Sequence, residues 1–431
     1  MRSISTCRAR APRLVALCLV LVGTPATRAG TGPASLVGLG TLPGAGGSHA
    51  TAVSGDGQVV VGYCGNSPSS SRAFRWTAED GMTDLGALSP GVATEATAVN
   101  ADGTVIVGVS GGIPFRWTAE GGMQSLGTLP GATLSWASGV SADGSIVVGG
   151  SGNRAFRWTS SDGMIDMGAL PGGTTSTATA ISADGSTVVG ISSEMSGSYL
   201  STRGFRWTTA DGMVGFGPFS VECADHRTRP SAVSNDGSVI AGDGNVTIIG
   251  CCGPGGGGCM NYTIPNVFRK TGDSRPVHLQ VGSPMEWPLA SGVNGDGSIV
   301  VGFYTFWSFS NACAWDVAGQ RLLLGQRFVQ LGLVTSEEFS ISTATDISDD
   351  GQTIVGTAVG GAWIAHIPVL FPLPGDINDD GEVDAADLLA VLAAWGPCPN
   401  WPMCPADIAP PGAPDGTIDV NDMLLVIVNW S

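Results

Sequence analysis

The stretch AVSGDGQVVVG (52–62) decides the fold. It reads as an apolar strand, an Asp-Gly turn, and a second apolar strand that ends in glycine. Gly57 accepts a positive φ at little cost, and the Asp56 carboxylate can take nearby backbone N–H groups. The β-branched runs on each side complete a hairpin signal. The unit returns as AVNADGTVIVG (98–108), GVSADGSIVVG (139–149), AISADGSTVVG (180–190), AVSNDGSVIAG (232–242), GVNGDGSIVVG (292–302) and DISDDGQTIVG (346–356). The turn aspartates Asp56, Asp102, Asp143, Asp184, Asp236, Asp296 and Asp350 are 46, 41, 41, 52, 60 and 54 residues apart. Their role reads as structural, because no copy carries a dense set of ligands.

Each unit has a second half. A third strand places an aromatic pair at alternating positions: AFRW (73–76), PFRW (114–117), AFRW (155–158) and GFRW (204–207), with VFRK (267–270), CAW (313–315) and GAW (361–363) as later forms. In a strand the two rings face one way and the arginine the other. The rings are expected to pack against the next unit, and the arginine to bond a turn carboxylate or a carbonyl. A fourth strand follows, as in GMTDLGAL (81–88). Four short strands per 40–60 residues is a propeller-blade pattern. The expected fold is all-β, a seven-bladed propeller spanning 30–370, with an open β-solenoid as the competing architecture.

The chain ends sharpen this. The seventh unit stops after its third strand, GAWIAHI (361–367), and an orphan fourth strand, LVGLGTLPG (36–44), precedes the first unit. Closing the ring removes the two exposed sheet edges of an open array. Residues 36–42 are therefore expected to pair with the sheet formed by 346–367. The repeats resemble the extracellular family named for its His-Ala-Phe (HAF) motif, through Ala52–Gly62 with Ala73–Trp76, Ala98–Gly108 with Phe115–Trp117, and Ala180–Gly190 with Phe205–Trp207. Arg72 and Arg154 stand where the naming histidine would be. The resemblance covers roughly 36–367 and implies export and a β-repeat fold, but no shared chemistry.

Bulk properties agree with export. Residues 1–29 combine Arg2, Arg8, Arg10 and Arg13, an apolar run Leu14–Val22, and the small-residue site Thr27-Arg28-Ala29, which together read as a signal peptide. Cleavage after Ala29 removes five arginines and no acid, so the formal charge goes from −17 to −22. That field works against nucleic acid and anionic membranes as partners. No segment reads as a membrane span. Eight cysteines remain (Cys64, Cys223, Cys251, Cys252, Cys259, Cys313, Cys398 and Cys404), an even set that permits disulfides in an exported chain.

After a linker at 371–375 the composition changes. DINDDGEVDAAD (376–387) places Asp376, Asn378 and Asp380 at loop positions 1, 3 and 5, and Gly381 at the turn. Glu382 offers its carbonyl at 7, Asp384 acts at 9, and Asp387 closes at 12. This oxygen-rich spacing suits calcium, and AADLLAVLAAW (385–395) reads as the following helix. An imperfect second copy holds Asp407, Asp415, Asp419 and Asp422; it either binds a second calcium with a non-standard loop or persists on packing alone. The duplicated loop-helix unit over 376–431 resembles a type I dockerin, an EF-hand-like module. That resemblance implies Ca2+ binding and a cohesin-like or cell-surface partner.

No catalytic constellation stands out, and the four histidines (His49, His226, His278 and His366) lie in no metal or triad motif. The stretch FYTFWSF (303–309) has five aromatics in seven residues, with Trp287 nearby; it reads first as a locally rich inter-blade core, and, if the repeat domain binds a ligand, as the first suspect for the binding loop. Two functions compete. The leading expectation is a secreted, non-catalytic repeat protein for extracellular binding or scaffolding, tethered through its calcium module and not an enzyme. The alternative is a carbohydrate-active protein, either a glycan-binding component or a glycoside hydrolase of polysaccharide breakdown. Glycan binding predicts an aromatic patch on one ring face, and purely structural packing predicts tryptophans buried between blades.

Overall fold

Each repeat folds as a four-stranded antiparallel meander, and the computed structural model arranges seven of them as a closed propeller. Blades 1–6 run Ser48–Asp84, Thr94–Ser125, Ser135–Asp166, Thr175–Gly215, Ala224–His278 and Trp287–Leu323; blade 7 combines Ile341–His366 with Ser35–Gly38. The structure describes residues 33–371 apart from 66, 68, 197–198, 217–223, 249–261, 273, 275, 280–284, 308 and 335–340. Beyond 371 it describes 376, 383, 385–393, 396–397, 417–418, 423 and 426–427.

The first strands of the blades are innermost, because they bond to one another around the axis. Each carries a β-bulge, as at Ala50/Ala52 and Ala96/Ala98. In blades 1 to 4 the bulged residue turns a hydroxyl to the next blade: Thr51 Oγ1 donates to the Ala96 carbonyl (2.8 Å), Thr97 to Ala137 (2.8 Å), Ser138 to Ala178 (2.8 Å) and Thr179 to Pro230 (2.8 Å). Thr345 donates to the Ala50 carbonyl (3.0 Å) and joins the last blade to the first. A second ring runs through the Asp-Gly turns, where Ala142 N donates to Ala183 O (2.9 Å), Gly295 N to Asp349 O (3.0 Å) and Asp349 N to Gly55 O (3.0 Å).

The second strands run on past the glycine at which the sequence pattern ends them, and the bulge explains that glycine. A Cβ on Gly149 would lie 2.1 Å from the Trp136 carbonyl oxygen and 2.9 Å from the Phe156 ring. Gly62, Gly108, Gly190, Gly242, Gly302 and Gly356 meet the matching carbonyl at 1.9 to 2.3 Å. Below them the blade-to-blade core fills with third-strand rings: Phe74, Phe115, Phe156, Phe205 and Phe268 are wholly buried, as are Trp315 and Trp363. Two of the paired arginines do as expected, Arg116 Nε donating to the Gly144 carbonyl (3.2 Å) and Arg206 bridging to Asp211 (3.1 Å), while the buried Nε of Arg157 and of Arg269 meets no hydrogen-bond acceptor among the described residues.

The Asp-Gly turns carry no ligand geometry of their own. Asp143 Oδ1 accepts from Ser141 Oγ (2.6 Å) and Ser145 N (2.9 Å), and Ser141 Oγ accepts from Ile146 N (3.0 Å). Those bonds, the Ser141 hydroxyl first, hold the Asp143 carboxyl below its usual range. Gly144 sits at φ 70°, a left-handed conformation that glycine adopts without strain.

Closure follows the sequence expectation. Ser35–Gly38 pairs antiparallel with Gly361–His366 in the register Val37 to Ile364 and Gly38 to Trp363, and Leu39 N donates to Ala362 O (2.9 Å). Leu39 and Leu42 are buried against Val355 and Ala362. At the same seam, Asp346 replaces the small residue found in the other blades (Ala52, Ala98, Gly139, Ala180, Ala232 and Gly292). Its Oδ2 accepts from Val53 N of blade 1 at 3.0 Å. Burial raises its pKa to about 7; the bonds from Val53 N and Ile347 N pull it down, and the nearby Asp349 adds to the rise.

Two expectations need correction here. The expected disulfides are not found among the described residues: Cys64 and Cys313 are free and buried in different blades, and burial pushes the Cys313 thiol far up. Both are enclosed by core packing, with Cys64 Sγ 3.3 Å from Met82 Sδ. Cys223, Cys251, Cys252, Cys259, Cys398 and Cys404 lie outside the described residues. After the propeller, the expected helix is present at Ala385–Ala393, and Val383, Val391, Ile418 and Val426 share a small buried cluster. Its identity as an EF-hand or dockerin gains no support. Among the described residues, no helix is long and apolar enough to cross a membrane.

Replacing Gly149 by alanine is expected to cost about 2–3 kcal/mol, the scale of forced overpacking, read as a lower urea midpoint at unchanged slope. Asp346 sets a pH dependence. Its folded pKa lies above its unfolded value, so the folded state holds the extra proton. The stability it contributes is full below the unfolded pKa and is lost as pH rises toward about 7. Thermal melts from pH 4.5 to 8 should show Asp346→Asn losing less stability than the wild type over that climb. Equal slopes would show that Asp346 does not titrate there.

Candidate functional site

Both faces of the ring are built from the same repeats, yet they differ in chemistry. A meander leaves its first-to-second and third-to-fourth strand turns on one face. The second-to-third strand hairpins and the blade-to-blade connections lie on the other. The Asp-Gly turns repeat on the first face in all seven copies. The hairpin face is where the repeats diverge.

The divergence is sharpest at the axis. One step into each inner strand, the cross-strand pair is Ala–Gly in six blades and Pro–Gly in blade 5: Ala50–Gly62, Ala96–Gly108, Ala137–Gly149, Ala178–Gly190, Pro230–Gly242, Ala290–Gly302 and Ala344–Gly356. The next pair toward the hairpin face is different in every blade: His49–Tyr63, Glu95–Val109, Trp136–Gly150, Thr177–Ile191, Arg229–Asp243, Leu289–Phe303 and Thr343–Thr357. The fold does not fix the residue type here, so these side chains are free to serve a ligand. The first member of each pair lies on an inner strand and the second on the strand beside it, both on the hairpin-face side of the uniform position.

Several are already arranged. His49 and Tyr63 stack with centroids 4.8 Å apart at 23°. Glu95 Oε1 accepts from Ser71 Oγ at 3.1 Å. Burial, then the Glu95 charge, raises the Tyr63 pKa. Trp136 lies against Gly150, where a Cβ would come within 2.6 Å of its ring. Burial raises Asp243 to about 6, and its neighbour Arg229 offsets part of that rise.

Hairpin length gives this face its relief. Past the glycine, blades 2, 3 and 7 pair for two more residues, blade 6 for four, and blades 4 and 5 for six. At about 3.3 Å per residue, blade 6 stands about 7 Å, and blades 4 and 5 about 13 Å, above the low blades. The suspected aromatic loop forms the blade 6 hairpin. Trp307 at its tip is 86% exposed, Phe309 72% and Trp287 51%. Trp307 holds φ 56°, a conformation costly for a bulky residue, and such strain clusters at functional sites. Strand alternation turns Trp287 toward blade 7, and Tyr304, Phe306 and Phe309 toward blade 5. Beneath them, Arg321 Nη1 pairs with Glu286 Oε2 at 2.6 Å, and its guanidinium lies 4.7 Å from the Tyr304 ring centroid. Exposed rings on one face match the aromatic-patch expectation, whereas the Phe-Arg-Trp motifs are packing elements.

The calcium expectation does not survive. Among the described residues, no group of three or more His, Cys, Asp or Glu is placed to hold a metal ion. Of the ten expected ligands, Asp376 and Asp387 are described and both are buried. Asn378, Asp380, Glu382, Asp384, Asp407, Asp415, Asp419 and Asp422 lie outside the described residues.

No family profile and no curated protein sequence matches the chain. Solved structures do. An oligogalacturonate lyase from Vibrio parahaemolyticus matches at 12% identity over 77% of this chain and 93% of that one, with a TM-score of 0.50. TolB from Acinetobacter baumannii matches at 15% identity over 62% of this chain and 64% of that one, with a TM-score of 0.40. A gluconolactonase from Xanthomonas campestris matches at 13% identity over 77% and 89%, with a TM-score of 0.38. The chain thus spans less than two thirds of that TolB.

The likeness to the lyase, at 12% identity, is one of fold alone. This corrects the leading expectation of a non-catalytic scaffold that is not an enzyme. The lyase, matched over nearly its whole length, is by name an enzyme, so the fold supplies no ground for excluding catalysis. Sequence reading found the blade 6 aromatics but missed His49, Tyr63, Glu95, Trp136, Arg229 and Asp243. Their one signal was variability beside an otherwise uniform Ala and Gly pair.

Proposed function

We propose that this protein is an exported, carbohydrate-active propeller that binds a glycan on its hairpin face. The observation carrying this reading is the exposed aromatic hairpin of blade 6, with Trp307, Phe309 and Trp287 open to solvent. Aromatic rings offer flat apolar area to the C–H faces of sugars, while hydroxyls need polar partners close by. The blade 6 rings supply the first, and His49, Glu95 and Arg229 on the inner strands of the same face supply the second. The leader at 1–29 supports export, where extracellular glycans are met.

Asp243 favours a hydrolytic reading of the same face. A carboxyl raised to about 6 retains its proton well above the usual carboxylate range, the property required of a general acid.

Trp307→Ala is expected to weaken binding to neutral soluble polysaccharides at least tenfold in affinity electrophoresis, with unchanged elution volume and melting temperature. Unchanged binding would remove the hairpin from the site. If the polysaccharides are shortened on incubation, Asp243→Asn should abolish reducing-end release while retention on the glycan gel persists. Full activity in that variant would discard Asp243 as the acid.

A further inference from the structure

The junction between blade 7 and blade 1 differs chemically from the other six. Two positions of each inner strand and its turn meet the neighbouring blade near the axis. One is the position of Asp346, which is small in every other blade. The other is that of Asp349, which is Gly55 in blade 1, Asn235 in blade 5, Gly295 in blade 6 and alanine in the remaining three. Blade 7 alone carries acids at these positions. Asp346 Oδ2 accepts from Val53 N of blade 1 at 3.0 Å. Asp349 N donates to Gly55 O at 3.0 Å, and a Cβ on Gly55 would fall on the Asp349 carboxylate. The outer side of this junction is held by a strand pair instead. Ser35–Gly38 bonds to Gly361–His366, and residues 39–47 run on from it into blade 1.

We infer that this junction is a pH-controlled latch: in acid the axial edge of blade 7 is held on blade 1, and as pH rises it releases there while the outer strand pair stays closed as a hinge. The neutral Asp346 carboxyl occupies its buried place with no charge to desolvate. Once ionised it is disfavoured there by burial and, to a lesser degree, by the Asp349 carboxylate. Among the described residues, Asp349 is the one charge that acts on it. Blade 6 turns Gly292 toward it, where a Cβ would lie 2.9 Å from Asp346 Oδ1. Blade 1 presents Val53 and Gly55, while its His49 stacks on Tyr63 at the other end of the strand. His366 of blade 7 pairs with Ser35 on the outer side. Asp56, Asp296 and Asp350 bond within their own turns. The folded pKa of Asp346 lies above its unfolded value, so the closed junction holds a proton that the open one gives up. Opening therefore rises about tenfold per pH unit until pH reaches about 7.

Hydrogen exchange on the full chain from pH 5 to 8, corrected for its intrinsic pH dependence, tests the latch. The Val53 and Asp349 amides, both bonded across the junction, should exchange about tenfold faster per pH unit up to about pH 7 and level off above it. The Leu39 amide, bonded to Ala362 O on the hinge side, should keep its protection. So should the Ala142 amide, which bonds blade 3 to blade 4. Asp346→Asn should abolish the slope at Val53. Asp349→Ala changes an exposed side chain, and removing its charge should move the levelling-off to lower pH; this variant decides the matter if Asp346→Asn does not fold. A slope that persists in Asp346→Asn, an equal slope at Ala142, loss of protection at Leu39 together with Val53, or a levelling-off that Asp349→Ala leaves in place would each overturn the latch.

Discussion

The structure depends on one constraint: seven inner strands must come close enough to bond to each other around an axis. The bulge makes this work. It turns a hydroxyl sideways to the neighbouring carbonyl and pushes its own strand's carbonyl toward the second strand. That carbonyl occupies the space of a side chain, so the facing residue is glycine in all seven blades. The glycine then leaves room for the aromatic ring of the third strand. A hydrogen bond at the axis thereby dictates residue identity two strands out, and the repeated sequence is the record of that dependence.

This explains which parts were legible. The Asp-Gly turn, the terminal glycine and the buried aromatic recur because each copy solves the same local problem. Seven copies and an orphan strand sufficed to read the ring and its closure. The carboxyl of Asp346 was harder, since its meaning lies in Val53 of a blade nearly three hundred residues away. The variable residues on the hairpin-face side of the inner strands were harder still. His49, Glu95, Trp136 and Arg229 share only a place in the blade, and a reading that seeks repetition passes over what does not repeat.

The tail shows the opposite failure. DINDDGEVDAAD spells a ligand loop by spacing alone, and the helix after it forms as expected, but the described carboxylates do not gather into a metal site. Val383, Val391, Ile418 and Val426 instead give that segment an apolar centre. Spacing sets where ligands would be along a chain, while their convergence is a property of tertiary structure.

The strand that seals the ring has a temporal consequence. Ser35–Gly38 leaves the ribosome early, and its partner Gly361–His366 emerges more than three hundred residues later. Until then the founding segment has no mate, and six blades must wait with a bare flank on each side. Contacts so distant in sequence form slowly, and unpaired edges attract other chains meanwhile. A cell making this protein therefore has to shield a nearly finished disc, and the yield of sound molecules is decided at the final blade.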